Sequence, residues 1–475
     1  MTEAIDSTAG TVARTYDGLD RMTEEQSPQG DVTYAYDNAN RRTSMTVAGQ
    51  GAVSYAWDNA NRLTGITQGS SAVAFAYDTA NRRTTLTLPN GVTVAYTYDN
   101  NSRVTGLSYA MSSTQLGNLG YNYDADGRVT AKTGSFAVTG MPASVSGNTF
   151  NADNAMTAFN GSTMSGACPE RSRGNANGNL TGDGNNTYAW DARNHLSAIS
   201  GTATASFVYD AFGRRMSKTI NGPTTQLLYD GWNPVQELQS GTPSANLLTG
   251  LNIDEYFTRT DSGGTMAFLS DTLGSTIGLT NSAGALATNY TYQPFGAATT
   301  SGTANTNSYQ FTGRENDGTG LSFYRARYYS PAYQRFISQD PIGFAAGDSN
   351  LYGYVTNSPT DFTDPSGSDP RSIPFRCKQC GAPHGGLCGD YCPDCDKKSS
   401  DPQNNIPPNP YSNPAPVSSG PADGQPGENN GNEPDQSNSG ISKAVQIGIG
   451  VIVVGGTVAI IIGTGGTVAP IILVF

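Results

Sequence analysis

Apolar and polar residues alternate in short runs along the first half of the chain, and turn-forming residues follow each run. Residues 32–36 read Val-Thr-Tyr-Ala-Tyr, and the stretch Asp-Asn-Ala-Asn at 37–40 comes directly after them. A period of two residues is typical of a strand with one buried face. Asp and Asn favour turns because their side chains bond the backbone two residues on. The pattern therefore predicts antiparallel strands joined by tight turns.

The alternation belongs to an internal repeat that is marked by a Tyr-Asp or Trp-Asp pair. Most neighbouring pairs are 19 to 21 residues apart, and they begin at Tyr16, Tyr36, Trp57, Tyr77, Tyr98, Tyr123, Trp190, Tyr209 and Tyr229. One strand–turn–strand unit of this length cannot bury its own apolar face, whereas stacked neighbours can. We therefore expect an all-β array in which each aspartate forms its turn or pairs with a nearby arginine.

Composition narrows the classes of protein that fit. Charged residues make up 14% of the chain, and there are 57 glycines and 25 tyrosines among 475 residues. Helical bundles and coiled coils need Ala, Glu, Lys and Leu in bulk, so this composition argues against them. A net charge of −12 argues against nucleic-acid binding, and two histidines leave little room for a Ser-His-Asp hydrolase.

The most specific motif spans residues 310–367 and reads QFTGRENDGTGLSFYRARYYSPAYQRFISQDPIGFAAGDSNLYGYVTNSPTDFTDPSG. This segment resembles the core signature of the Rhs family, and the repeats resemble the YD repeats of Rhs polymorphic toxins, insecticidal toxin-complex subunits and teneurins. The resemblance implies an antiparallel β shell of YD repeats over 1–240, here incomplete, with an Rhs core plug over 241–367. It also implies that the chain's own C-terminal region is cargo, with an immunity protein and secretion machinery as further partners.

The resemblance further implies aspartyl-type self-cleavage just after the core. Asp340 and Asp364 occupy the family's two aspartate positions, and Arg335 matches a family arginine that orients or tunes a carboxylate. In such a pair one carboxylate stays ionised to activate a water, and the other, whose pKa the like charge raises, donates a proton. The chain departs from the family at three positions: aspartate is common at Ser330, glycine at Gln334 and leucine at Ser368.

The composition changes after residue 367, where the family's variable extension begins. Residues 368–396 form a small cysteine-rich module in which two Cys-x-x-Cys pairs are separated by eleven residues. This spacing resembles paired zinc knuckles and predicts one structural Zn²⁺ bound by Cys377, Cys380, Cys392 and Cys395. A disulfide cluster and free thiols are the alternatives.

The last two segments differ sharply in hydropathy. Residues 397–440 are rich in Pro, Asn and Gly and predict a disordered linker. Residues 441–475 are hydrophobic, and the 32 residues from 444 onwards carry no charge. This uncharged run is longer than the ~20 residues that a helix needs to cross a bilayer. A transmembrane helix over 444–463 is the leading interpretation. The alternatives are a membrane-inserting toxic peptide and a β-prone tail held inside the shell, because Val, Ile and Thr supply 18 of these 32 residues.

These features predict a protein that packages its C-terminal region and releases it by autoproteolysis in contact-dependent bacterial competition or toxin delivery. Self-cleavage is the only enzymatic activity that the residues suggest. The first residues lack the apolar stretch of a signal peptide, so we expect a membrane-associated or exported protein that uses dedicated machinery. One alternative is a non-enzymatic surface adhesion protein whose repeats bind carbohydrate or protein. Another is a truncated, non-functional Rhs fragment.

The cysteine spacing predicts about one equivalent of zinc per chain. Metal analysis of the full-length protein, purified under reducing conditions, should find that zinc. A Cys377→Ser, Cys395→Ser double variant should lose it, whereas a Cys168→Ser variant should keep it because that cysteine lies far outside both pairs. A metal-free protein with paired cysteines would support the disulfide alternative instead.

The hydrophobic C-terminal segment predicts membrane association, because burial of about twenty apolar residues in lipid is favourable. In fractionated cells, the full chain should resist carbonate extraction and a 1–440 truncation should not. Equal solubility of the two chains would contradict membrane anchoring and favour an enclosed tail.

Overall fold

The structure is a computed structural model of the whole chain. It describes residues 2–137, 140–164, 175 and 177–368, and after these only the strand residues 371–372, 448–454, 457–463 and 471–472. The chain divides into two compact units, essentially residues 2–400 and 401–475.

The first half of the larger unit is one 13-stranded antiparallel sheet in which neighbouring strands follow one another along the chain. This arrangement confirms the prediction of repeated strand–turn–strand units. The strands are β1 (Glu3–Asp6), β2 (Gly10–Tyr16), β3 (Met22–Ser27), β4 (Gly30–Tyr36), β5 (Arg42–Val47), β6 (Val53–Trp57), β7 (Leu63–Gln68), β8 (Ser71–Tyr77), β9 (Arg83–Thr87), β10 (Val92–Tyr98), β11 (Val104–Met111), β12 (Thr114–Tyr123) and β13 (Val129–Thr133).

A small three-stranded sheet separates this first sheet from a second, 12-stranded one of the same sequential order. The second sheet runs through residues 240 and 241, so the repeats and the start of the predicted core share one sheet. The small sheet comprises β14 (Thr149–Phe150), β15 (Met156–Phe159) and β16 (Ser162–Thr163). The second sheet comprises β17 (Asn186–Trp190), β18 (Leu196–Gly201), β19 (Ala205–Tyr209), β20 (Arg215–Ile220), β21 (Thr224–Asp230), β22 (Asn233–Gln239), β23 (Thr242–Thr249), β24 (Tyr256–Asp261), β25 (Gly264–Ser270), β26 (Thr276–Thr280), β27 (Leu286–Tyr292) and β28 (Ala298–Gly302).

The segment after the second sheet is compact and mostly irregular. It contains 3₁₀ turns at Phe311–Gly313, Gly343–Ala346 and Val355–Asn357. Its strands are β29 (Glu315–Asn316), β30 (Ser322–Tyr324), β31 (Arg327–Ser330), β32 (Arg335–Phe336) and β33 (Phe362–Thr363), and β33 pairs with β34 (Arg371–Ser372). Aromatic residues fill the interior. Four rings pack on one another with centroids 4.5 to 5.8 Å apart: those of Tyr324, Tyr329, Phe336 and Tyr354.

The Tyr-Asp motif forms a turn that the aspartate holds together. In the second repeat, Asp37 Oδ1 accepts hydrogen bonds from the backbone N–H groups of Ala39 (2.9 Å) and Arg41 (3.0 Å). Asp37 Oδ2 accepts from Arg41 Nε at 2.7 Å. Asn40 takes a positive φ of 62°, a conformation that Asn tolerates better than most residues. The expected role of the aspartate in its turn is therefore confirmed.

The same motif also links each repeat to its neighbours. Arg41 Nη1 donates to the carbonyl of Asp58 in the next turn at 3.1 Å. In the other direction, the Tyr36 hydroxyl donates to the carbonyl of Met22 at 2.8 Å. Arg21, Arg62, Arg82 and Arg103 make the same forward contact, at 2.9 to 3.3 Å. In the repeat where His195 replaces the arginine, Arg193 donates forward to the carbonyl of Asp210 at 3.0 Å.

The two large sheets share one hydrophobic core, to which the first contributes residues such as Val32 and Ile66 and the second residues such as Leu228 and Phe257. Charged side chains cross this interface in buried pairs. Arg42 Nη1 lies 2.5 Å from Asp230 Oδ2, Arg83 Nη2 lies 3.0 Å from Glu255 Oε1, and Arg214 Nη1 lies 2.7 Å from Glu25 Oε1. A buried charge is tolerated only when it is paired, so these contacts fix which strands face each other.

The C-terminal region departs from the expected helix over 444–463. The backbone there forms strands β35 (Gly448–Val454) and β36 (Thr457–Gly463), which pair from Gly448 with Gly463 to Val454 with Thr457, and β37 (Ile471–Ile472) pairs with β36. The strands agree instead with the β-prone alternative, which rested on the Val, Ile and Thr content, since β-branched residues favour extended backbone. Among the residues that the structure describes, no helix is long and apolar enough to cross a bilayer.

A buried four-charge cluster holds the compact segment against the second sheet. Lys218 Nζ lies 3.0 Å from Glu315 Oε2 and 2.8 Å from Asp317 Oδ1, and Arg215 pairs with both carboxylates. Burial tends to raise the pKa of Glu315, but the charges of Arg215 and Lys218 outweigh it and hold that pKa at about 2. The ionised carboxylate therefore stabilises the folded chain.

This cluster predicts acid sensitivity. Because the pKa of Glu315 is lower in the folded chain than in the unfolded chain, its contribution is complete above about pH 5 and disappears as the pH falls towards 2. Glu315→Gln should lower the free energy of unfolding at pH 7 by roughly 3 kcal/mol, and by less than about half of that at pH 3. Denaturant titrations at both pH values measure this difference. Glu24→Gln is the control, and an equal loss at both pH values for Glu315→Gln would contradict the assignment.

Candidate active site

The two aspartates of the core motif lie at the ends of short strands in the compact segment. Asp340 follows β32, its backbone N–H donates to the carbonyl of Leu351 at 2.9 Å, and its Oδ1 accepts from the N–H of Ile342 at 3.0 Å. Asp364 follows β33 directly and is 1% exposed. Both carboxylates are therefore fixed by the local backbone rather than placed on free loops.

Arg327, the first residue of β31, brings the two carboxylates together. Its Nη2 lies 2.8 Å from Asp340 Oδ2 and 3.2 Å from Asp364 Oδ2. Its Nη1 donates to the carbonyl of Leu351 at 3.1 Å, and its Cζ lies 3.6 Å from the ring centroid of Phe336. Burial lowers the pKa of Arg327, while the charges of Asp364 and Asp340 act in the opposite direction. One buried guanidinium thus forms ion pairs with both carboxylates.

The peptide between Gly367 and Ser368 lies against this cluster. Asp364 Oδ1 accepts hydrogen bonds from the N–H groups of Gly367 (2.8 Å) and Ser368 (3.0 Å). Arg327 Nε donates to the carbonyl of Gly367. Gly367 has a φ of +74°, and a Cβ at this position would lie 1.9 Å from the carbonyl oxygen of Tyr324, so only glycine fits.

A small cavity adjoins the cluster. Its volume is about 20 Å³, and its walls include Arg327, Asp340, Asp364, Asp348 and Asn350. A water molecule needs roughly 10–15 Å³ and two to four polar partners, so one water fits here. The arrangement can therefore place a water, two carboxylates and a polarised carbonyl in one buried site.

Two further arginines, which no sequence motif indicated, hold the backbone just before this peptide. Arg325 Nη1 donates to the carbonyl of Pro365, and Arg314 Nη1 donates to the same oxygen at 3.4 Å. Both guanidinium groups also pair with Asp254, the Arg325 contact being 2.7 Å long. No spacing rule connects Asp254 with residue 365, so only the folded chain reveals this contact.

Arg335, which the motif assigned to the site, lies elsewhere. Its Nη2 donates to the carbonyl of Asn154 at 2.6 Å and to Asn350 Oδ1 at 3.1 Å. Burial lowers the pKa of Arg335 to about 10. Two of the three sequence departures border it. Ser330 pairs with Arg335 across β31 and β32, and Gln334 adopts a φ of +59°, which glycine adopts more readily. The arginine that contacts both aspartates is therefore Arg327.

The predicted zinc ligands Cys377, Cys380, Cys392 and Cys395 lie outside the described residues, so the zinc site stays a prediction. Among the described residues, no cluster of three or more His, Cys, Asp or Glu side chains could hold a metal ion.

Comparison with known proteins agrees with this fold. The Teneurin YD-shell family model matches residues 92–360, and the RHS Repeat model matches residues 16–52. The tRNA3(Ser)-specific nuclease WapA of Bacillus spizizenii is 31% identical over 260 residues, which are 52% of this chain and 11% of that protein. Double-stranded DNA deaminase toxin A of Burkholderia cenocepacia is 30% identical over 206 residues, 36% of this chain and 14% of that protein.

A solved structure has a similar fold. The crystal structure of TcdB2-TccC3 matches 76% of this chain and 24% of that chain, with a TM-score of 0.58 and 18% sequence identity. The likeness is one of fold. The chain spans between about a tenth and a quarter of the length of these three proteins.

Proposed function

The chain belongs to the Teneurin YD-shell family, and we propose on this premise that it is the shell segment of a polymorphic toxin, which holds its own C-terminal region and releases it by cutting the Gly367–Ser368 peptide. The observation that carries the proposal is the meeting of Asp340, Asp364 and Arg327 beside that peptide. The released region begins where the composition of the chain changes. Delivery in contact-dependent bacterial competition, with an immunity protein in the producing cell, belongs to the same proposal.

The names of the relatives support a shared shell with exchangeable activities. One is a tRNA nuclease and another a double-stranded DNA deaminase toxin, and each matches only a small part of its length. These two proteins are named for different activities although both match the same kind of repeat. Their activities therefore most simply reside outside the matched part. By analogy, the toxic activity of this chain would reside after residue 368.

The cleavage is a hydrolysis that needs only a water. Asp340 removes a proton from the water in the cavity, and the oxygen of that water attacks the carbonyl carbon of Gly367. Arg327 Nε stabilises the negative charge that develops on the carbonyl oxygen. Asp364, whose Oδ1 is 3.0 Å from the nitrogen of Ser368, carries a proton in the reacting state and delivers it to that nitrogen as the C–N bond breaks, while Asp340 keeps the proton that it removed from the water. The products are a carboxylate at Gly367 and an amine at Ser368.

The assignment of base and acid follows from what each carboxylate touches. Asp364 contacts the leaving nitrogen, which is where an acid must act. Asp340 lines the water-sized cavity and bonds the N–H of Ile342, outside the peptide to be cut. The reaction is single-turnover because both new ends belong to the chain that made the cut. Positioning of the peptide by Arg314 and Arg325 lowers the entropy cost of the step.

Intact-mass analysis of the purified full chain tests this proposal. Wild-type protein should yield a 1–367 fragment and a tail that begins at Ser368, whereas Asp340→Asn and Asp364→Asn should stay whole. Asp361→Asn is the matched control, since Asp361 bonds the N–H of Val129 instead. Unchanged melting temperatures would show that loss of cleavage is not loss of fold.

Two outcomes would overturn parts of the proposal. A folded wild-type chain that stays intact removes the self-cleavage step. Cleavage that persists in both aspartate variants but stops in Ser368→Ala would assign the attack to the serine hydroxyl instead of a water. We expect Ser368→Ala to be cut normally.

A further inference from the structure

The outward face of the first sheet has an unusual composition. Along β4, Val32 and Tyr34 are buried against the second sheet, whereas Thr33 and Ala35 point to the other side and are exposed. The same alternation continues through the following strands, so the sheet has one face in the core and one face in contact with solvent.

Strand register places the outward residues in continuous rows across the sheet. One row crosses β4 to β8 and reads Ala35, Ser44, Ser54, Thr67, Ala72. A second row crosses β8 to β12 and reads Ala76, Thr85, Ala95, Ser108, Asn118. The rows contain short side chains throughout, which leave the face nearly flat.

No charged residue points outward from β5 to β13, all of which the structure describes. The charges of these strands point inward, since Arg42, Arg83 and Lys132 pair with Asp230, Glu255 and Asp271. The Asp–Arg pairs lie at the turns along one edge. A typical protein surface is about a quarter to a third charged. A solvent-facing sheet without outward charges over nine strands departs from that composition, so this face is a candidate contact surface.

The short, neutral side chains of this face limit the kinds of partner that can bind it. A nucleic acid or a charged protein needs complementary charge, which this face does not offer. Its short, neutral side chains match a surface of the same kind, and two copies of a chain with net charge −12 could meet here without bringing like charges together. Identical twisted sheets can also stack face to face with strands about 30° apart.

We propose that this face is the interface of a symmetric dimer, in which β5 to β13 of one chain stack on β5 to β13 of a second copy. The available area agrees with a stable interface. Nine strands about 4.8 Å apart, each roughly five residues or about 17 Å long, give a face of about 730 Å². Specific interfaces bury about 800 Å² per partner, and a twofold interface uses one patch on both subunits.

Sedimentation equilibrium of the full-length protein tests the dimer. Wild-type protein should associate to a dimer, and Ala74→Lys or Ala95→Lys should raise its dissociation constant at least about tenfold, because each brings an unpaired charge into the face. Ala74→Ser should leave association unchanged. Thr79→Lys adds the same charge to the exposed turn of the same repeat and should also have no effect.

The outcomes that contradict the proposal are equally specific. A wild-type monomer at tens of micromolar would overturn it, whatever else covers the face. Association that survives both face variants but is abolished by Ile452→Lys would assign the contact to the apolar C-terminal stretch. Melting temperatures of the lysine variants should match that of the wild type, since Ala74 and Ala95 are exposed and a lysine there meets solvent.

Discussion

One interaction organises the large sheets: an aspartate that accepts two backbone N–H groups of its own turn and the guanidinium of the arginine four residues on. The turn would otherwise leave those donors without partners. Because the arginine also reaches the carbonyl of the next turn, as Arg41 reaches Asp58, each turn is built partly by its predecessor. A repeat is therefore a poor independent unit, and stability grows only as repeats are added.

Buried ion pairs then determine which strands of the two large sheets face each other. An apolar interface alone would tolerate a shift by one repeat, since every repeat offers similar residues. Glu25 prevents such a shift because it contacts Arg14 on its own sheet and Arg214 on the other, both at 2.7 Å. Ion pairs of this kind add little net stability, but a wrong register would leave each charge buried and alone. The same cost fixes the compact segment through Arg215 and Glu315.

The sequence was informative where a pattern is local and repeated. The period of about twenty residues predicted strands, turns and the role of each aspartate, and the motif located Asp340 and Asp364. The motif named Arg335 and did not indicate that Arg327 contacts both aspartates, because that contact depends on the register of β31 and β32 and on how β33 packs beside them. The structure differs from the helix expected over 444–463 for another reason. Hydropathy reports the length of an apolar run, whereas the β-branched residues within it decide between helix and strand.

The contacts that hold the end of the core, at residues 365–368, have a consequence for how such genes can recombine. Arg314, Arg325 and Arg327 bind the carbonyl oxygens of Pro365 and Gly367, and Asp364 binds the N–H of Ser368, so the contacts at this boundary are made to main-chain atoms. Every amino acid except proline offers the same main-chain N–H and carbonyl. A gene could therefore exchange the coding sequence downstream of this point without retuning the core, which makes the boundary a natural site for recombination.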